Sequence, residues 1–246
     1  MNPMSGHANL RHRPIPWSIK LGYTVWVVVW AVLYKQFVDW NHYLWLCHLG
    51  NVVIALGLWL ESPLLLSWQA LALLIPDLIW SVDFLIGLSF ETTPLGSAWY
   101  MFHPAFPPLQ KGLALFHLFL PLLLIGCLVR YGYDRRALWL QIGYCWLIFP
   151  VSYMVSSETD NINWVLGPFG QVQRVVPPPV YLVVAMVAYV LVLYLPAHGV
   201  LCWLVRAPRQ AEELQELPPS SLWTASGESA VAERGHSMTG QGDREG

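Results

Sequence analysis

Long apolar stretches separated by short polar breaks dominate the chain. The clearest runs cover residues 43–60, 64–88, 112–129, 137–155 and 179–205. Each supplies the ~20 apolar residues that cross a hydrocarbon core of ~30 Å. A further run, 17–37, carries Ser18, Lys20, Thr24, Lys35 and Gln36 as its polar positions. Both lysines lie near its ends, where a long stem lets the ammonium reach the headgroups. The pattern predicts an all-α fold, a polytopic transmembrane bundle of six helices. A polar tail, 1–16, precedes the six-helix domain, 17–205. The remainder, 206–246, is rich in Glu, Gly, Ser and Gln and is expected to be disordered. Two long connections, 89–111 and 156–178, separate spans three and four and spans five and six. The first is rich in Pro and aromatic residues, as befits a cap resting on the membrane interface.

Composition agrees with this partition. Of 246 residues 56% are hydrophobic and 11% charged, against about 25% charged in soluble domains. Mean hydropathy is +0.47. A net charge of −2 without a basic run gives no sign of a nucleic-acid partner; the expected partner of such a chain is membrane lipid. No removable signal peptide is expected, since no small-residue cleavage site follows the first apolar run. Six spans put both termini on one side, together with Arg11, Arg13, Lys20, Arg130, Arg135, Arg136, Arg206 and Arg209. The other side has Lys35, Lys111 and Arg174. The positive-inside rule then makes both termini cytoplasmic and turns the two long loops outward. The expected location is a plasma or inner membrane.

Polar side chains inside the spans need a reason to be there. By depth along their helices, Cys47, His117 and Asp83 each fall about 6–8 Å below the outer ends. Asn51 shares a face with Cys47 at i+4, His48 adjoins them, and Asp77 lies deeper. A thiol, an imidazole and a carboxylate are the parts of a nucleophilic site. The imidazole takes the thiol proton, and the carboxylate orients the imidazole and stabilises its cation. Asn51 could donate to a developing oxyanion. Each residue also has a plainer explanation. Cys47 fits as a small core hydrophobe, and His117 as a hydrogen bond between helices. Asp77 and Asp83 fit as structural partners of Lys35, Lys111 or a histidine. Cys127, Cys145 and Cys202 read as core, and the cysteines show neither CxxC spacing nor a disulfide framework. No metal or cofactor is expected. His42 and His48 share no helix face, so a zinc site would need single ligands such as His48, His117 and Asp83 from several helices.

Four short motifs occur in order: Leu46-Cys47-His48-Leu49-Gly50-Asn51, Phe116-His117-Leu118-Phe119, Asn161-Ile162-Asn163-Trp164-Val165-Leu166-Gly167-Pro168 and Pro178-Pro179-Val180-Tyr181. Their order over residues 40–185 resembles the YwaF-like integral membrane proteins. More distantly it is similar to the androgen-induced multipass lipid hydrolases and to a cysteine-dependent transmembrane acyltransferase. This chain reads Cys47-His48 where the family reads His-Leu-Cys, and Asn163-Trp164 where it reads Asn-Tyr. The resemblance implies Cys47 as nucleophile and His117 as base. The leading expectation is therefore a membrane lipid acyl hydrolase or acyltransferase. Cys47, His117 and Asp83 would be catalytic, and His48, Asn51, Asp77, Asn161 and Asn163 would line the substrate. A channel or transporter with Asp77 and Asp83 on an ion or proton path is the alternative, and a structural membrane subunit is a third.

Overall fold

The computed structural model describes residues 14–204. The expectations for 206–246 and for most of the N-terminal tail lie outside the described residues. The described residues up to Cys202 form one compact unit, and of a second, Trp203–Gly246, only Trp203 and Leu204 are described, both helical. The helices are α1 (Trp17–Tyr34), α2 (Leu46–Trp59), α3 (Pro63–Phe90), α4 (Pro108–Ala114), α5 (Phe116–Tyr131), α6 (Ala137–Val155) and α7 (Pro178–Ala188). A π-helical segment, Tyr189–Tyr194, carries α7 on, and helix continues to Leu204. The described residues contain no strand.

Five helices are long and apolar enough to cross a membrane: Trp17–Tyr34, Pro63–Phe90, Pro108–Tyr131 (α4 run into α5), Ala137–Val155 and Pro178–Leu204. They mark a multipass membrane protein. The stretch expected to be the second span is a shorter apolar helix. A 3₁₀ turn, Trp40–Leu44, takes up its first residues, and α2 itself has 14, about 21 Å at ~1.5 Å per residue.

The burial pattern is inverted relative to a soluble bundle. Val28 and Val32 of α1, Leu122 and Val129 of α5, Leu147 and Met154 of α6, and Val192 beyond α7 are exposed. Asn51, Gln69, Asp77, Asp83, Gln141 and Ser152 are buried. Outward apolar faces suit lipid, whereas polar groups in lipid turn inward to find partners. On α1 the buried stripe Lys20, Tyr23, Val27, Trp30 follows helical spacing. The core is built on α3, the longest helix, which packs chiefly against α5 and α2. A Cβ added at Gly50 of α2 would stand 2.5 Å from Leu73 Cδ1 and 2.9 Å from Gln69 Oε1. Glycine is therefore what lets these two helices approach so closely.

The bundle has two ends. At the tail end, Glu61 in the α2–α3 turn accepts hydrogen bonds from Lys20 Nζ at 2.6 Å and from the Ile15 N–H at 3.0 Å. The α5–α6 turn is fastened there by the Asp134 N–H, which donates to Ser67 Oγ at 2.9 Å. The two long connections lie at the opposite, loop end.

The hydrogen bond from Lys20, joined by that from Ile15 and opposed by partial burial, holds the Glu61 carboxyl below its ordinary 4.5. A carboxyl lowered in the folded state contributes stability that is complete above the unfolded value and is lost as pH falls through the folded one. The melting temperature of the detergent-solubilised protein is expected to fall as the pH is lowered through and below the ordinary carboxylate range, and to fall less in Glu61→Gln. Equal pH dependence in the two proteins would show that this contact adds nothing.

Candidate functional site

Helix lengths decide which polar residues share a level. Counted from the tail end, Cys47 lies about 14 residues before Glu61, Asp77 about 16 after it, and His117 about 14 before Tyr131. At ~1.5 Å per residue all three stand about 21–24 Å up the bundle. Asp83 is about 9 Å further toward the loop end. The expectation that Asp83 shares the depth of Cys47 and His117 therefore needs correcting. It equated the loop-side ends of helices of unequal length. In fact α3 runs well past the start of α2, and α4 continues α5 upward.

His117 is held in one tautomer. Its Nδ1 lies 2.7 Å from the Ala114 carbonyl oxygen, which only accepts, so Nδ1 carries the proton. Nε2 then presents a lone pair, and Asp77 Oδ1 lies 3.9 Å from it. That is too long for a hydrogen bond but within ion-pair reach. Asp77 is buried, and its Oδ2 has no hydrogen-bond partner. The imidazole is sandwiched between Trp80, at 4.6 Å between centroids, and Phe116, at 4.0 Å. The Ser81 hydroxyl is 2.7 Å from the Asp77 carbonyl and 3.1 Å from the His117 carbonyl, bridging α3 and α5 at this level.

Cys47 opens α2 beside this pair. Its thiol lies within electrostatic range of Asp77. It makes no hydrogen bond to His117 among the described residues. His48 repeats the arrangement of His117, with Nδ1 2.7 Å from the His42 carbonyl and its ring packed on Trp30 and Tyr34. Asn51 donates to the Cys47 carbonyl at 3.1 Å and accepts from Tyr23 Oη at 2.9 Å. Its amide thus braces the first turn of α2 from beneath.

The other expected site residues hold the scaffold instead. Asp83, expected to orient His117, accepts hydrogen bonds from the N–H groups of Leu95, Ser97 and Ala98 at 2.8–2.9 Å and from Ser97 Oγ at 3.0 Å. Four donors fold the α3–α4 connection onto one carboxylate. Asn161 spans its own loop, donating to Gly167 O and accepting from Leu166 N–H. Asn163 accepts from the Leu46 N–H at 3.0 Å and donates to Leu44 O and Ser152 Oγ, both at 2.9 Å. Both asparagines have positive φ, a conformation their short polar side chains tolerate. They were expected to line substrate, but amides with these partners are engaged in structure.

Two residues of the cluster carry no signal as isolated positions in the sequence. Trp80 stacks on His117 and donates its indole N–H to Tyr100 Oη at 3.0 Å. Tyr100 reaches into electrostatic range of Cys47 and Asp77 from the loop. The spacing of Trp80 at i+3 from Asp77 places both on one face of α3, a relation visible in the sequence. The loop contact of Tyr100 is not. Among the described residues no group of three or more His, Cys, Asp or Glu side chains is arranged to hold a metal ion. No protein-family model, curated protein or solved structure matches the chain.

Asn163 supplies from another segment the cap that the start of α2 lacks in itself. Asn163→Ala leaves the Leu46 N–H and the Leu44 carbonyl without this partner, at a cost of about 1–3 kcal/mol for each group left buried and unpaired. The variant is expected to unfold at lower denaturant concentration and to show faster amide exchange at Leu46. Asn163→Asp, which keeps the acceptor for Leu46 but loses the donor to the Leu44 carbonyl, is expected to keep the slow exchange at Leu46 without restoring full stability. Unchanged exchange at Leu46 in the alanine variant would rule out the cap.

Proposed function

We propose that the chain is a six-span protein of the plasma or inner membrane with cytoplasmic termini, and that its loop-half cluster performs acyl transfer on membrane lipid. In this reading α2 and the 3₁₀ turn before it make the second crossing. Cys47 is the nucleophile and His117 the general base. Asp77, rather than Asp83, is the carboxylate that stabilises the imidazolium. One observation carries the proposal: Nδ1 of His117 is tied to a backbone carbonyl, so its basic Nε2 faces Asp77 at the level of the Cys47 thiol. The motif order shared with the YwaF-like proteins adds to it.

The chemistry is a thiol acylation. Cys47 Sγ attacks the ester carbonyl carbon of a lipid as its proton passes to His117 Nε2. The ester C–O bond breaks, and the departing oxygen takes the proton from Nε2. The thioester on Cys47 is then resolved by water in a hydrolase or by a second alcohol in a transferase. A proton path is the second reading, favoured by the buried, unpartnered Oδ2 of Asp77 midway along α3.

Proteoliposomes containing a phospholipid with a tagged acyl chain separate the two. Acyl transfer predicts a hydroxylamine-sensitive label on Cys47 that is absent in Cys47→Ala. It should form about 10²–10⁴-fold more slowly in His117→Ala, the range a general base contributes. Proton movement abolished by Asp77→Asn, with no acylated thiol in the native chain, would instead establish the proton path.

The topology has its own test. A cysteine introduced as Thr93→Cys, in a background whose native cysteines are replaced, is expected to react with an impermeant maleimide added outside sealed cells. Reaction only after the membrane is opened would reverse the orientation.

A further inference from the structure

A second thiol–imidazole pair stands at the tail end. Cys202, expected to be a core residue, is half-exposed, and its Sγ lies 3.6 Å from Nε2 of His198. The two are four residues apart and share a helix face. Nδ1 of His198 lies 2.8 Å from Tyr133 Oη in the α5–α6 turn, with ring centroids 5.4 Å apart. A thiol, an imidazole and a phenol thus form a continuous hydrogen-bonded series. When Nδ1–H donates to Tyr133 Oη, Nε2 is left to accept the thiol proton.

The local helix geometry favours this meeting. Pro196 cannot donate to the helix ladder, and the wider π-helical turn Tyr189–Tyr194 lies just before it. Downstream, Tyr194, Ala197 and Leu201 face inward, while His198 and Cys202 lie at the edge of that stripe and Leu195 and Val200 face outward. Among the described residues the charged groups nearby are Arg135, within electrostatic range of His198, and Asp134, within range of Tyr133 and itself paired with Arg136 at 2.7 Å. Arg135 is exposed. A nucleophile that combines a lipid-facing apolar flank with an exposed guanidinium suits a donor with an acyl chain, a thioester and phosphates.

We propose that Cys202 is an S-acylation site that takes its acyl group from an acyl-coenzyme A, with His198 as the base and Tyr133 as a positioning residue. The Cys202 proton passes to His198 Nε2, and Sγ forms a bond to the thioester carbonyl carbon. The donor's C–S bond breaks, and the coenzyme A thiolate leaves with the proton from Nε2. The product is a new thioester whose chain lies along the outward face of the last helix. This site is at the opposite end of the bundle from Cys47 and does not depend on the function proposed there.

The test uses the full chain in nanodiscs with alkyne-tagged palmitoyl-coenzyme A and reads hydroxylamine-sensitive label by mass. The native chain and Cys47→Ala are expected to label equally, and Cys202→Ser not at all. His198→Gln should label about 10²-fold more slowly, within the range of a lost general base. Tyr133→Phe should shift the pH of half-maximal labelling without changing the melting temperature. Three results overturn the proposal: no label on the native chain, label that survives Cys202→Ser, or an unchanged rate in His198→Gln, which would make Cys202 an ordinary accessible thiol. An unmoved pH profile in Tyr133→Phe removes the phenol from the mechanism. Circular dichroism and gel filtration of each variant exclude a folding defect as the cause of lost label.

Discussion

A helix that ends partway up an apolar bundle must find partners for its first N–H groups without water, and this constraint shapes the loop half of the molecule. The start of α2 stands level with the middle of α3. The Leu46 N–H goes to Asn163 Oδ1, and the N–H groups of His48 and Leu49 go to the Trp45 carbonyl. Asn163 can reach Leu46 only because the chain beyond α6 turns back across the bundle through residues of positive φ. The same return loop brings Asp160 to His42 and Asn41. The second long connection is therefore a structural answer to the shortness of α2, and the thiol of Cys47 inherits its position from that answer.

The polar cluster follows the same logic of inward satisfaction, with one exception. His117, His48, Asn51 and Ser81 each give a hydrogen bond to a backbone carbonyl. Of these cluster residues Asp77 keeps an oxygen with no partner among the described residues. In an apolar interior an unsatisfied polar atom costs free energy, and such atoms persist where chemistry uses them or where a ligand completes them. That contrast separates Asp77 from Asp83, whose carboxylate is fully occupied by the loop beneath it.

Hydropathy made most of the helices legible, because a run of apolar residues is nearly the same statement as a spanning helix. The lengths of α2 and α3 were harder to read. Tyr43 and Leu44 are as apolar as the helix that follows, yet they form a 3₁₀ turn with Trp40. Depth inferred from the nearest helix end consequently singled out Asp83, when the residue level with His117 is Asp77. Asn161 and Asn163 were marked by their motif, but a motif does not say whether an amide meets substrate or backbone. Cys202 shows the reverse. Its i−4 partner His198 was present in the sequence, whereas Tyr133, the third member, comes from a turn some 65 residues away and only the folded chain reveals it.

The anchoring of the α3–α4 connection bears on how anything enters the cluster. Four hydrogen bonds from Leu95, Ser97 and Ala98 converge on the single carboxylate of Asp83, and Phe102, stacked on Phe84, holds the connection further along. Tyr100 follows two residues after the pin and bonds Trp80, and Trp80 covers one face of the His117 ring. The carboxylate of Asp83 therefore sets, through Tyr100 and Trp80, how one face of the imidazole is covered: a loop residue holds a core ring in place at two removes.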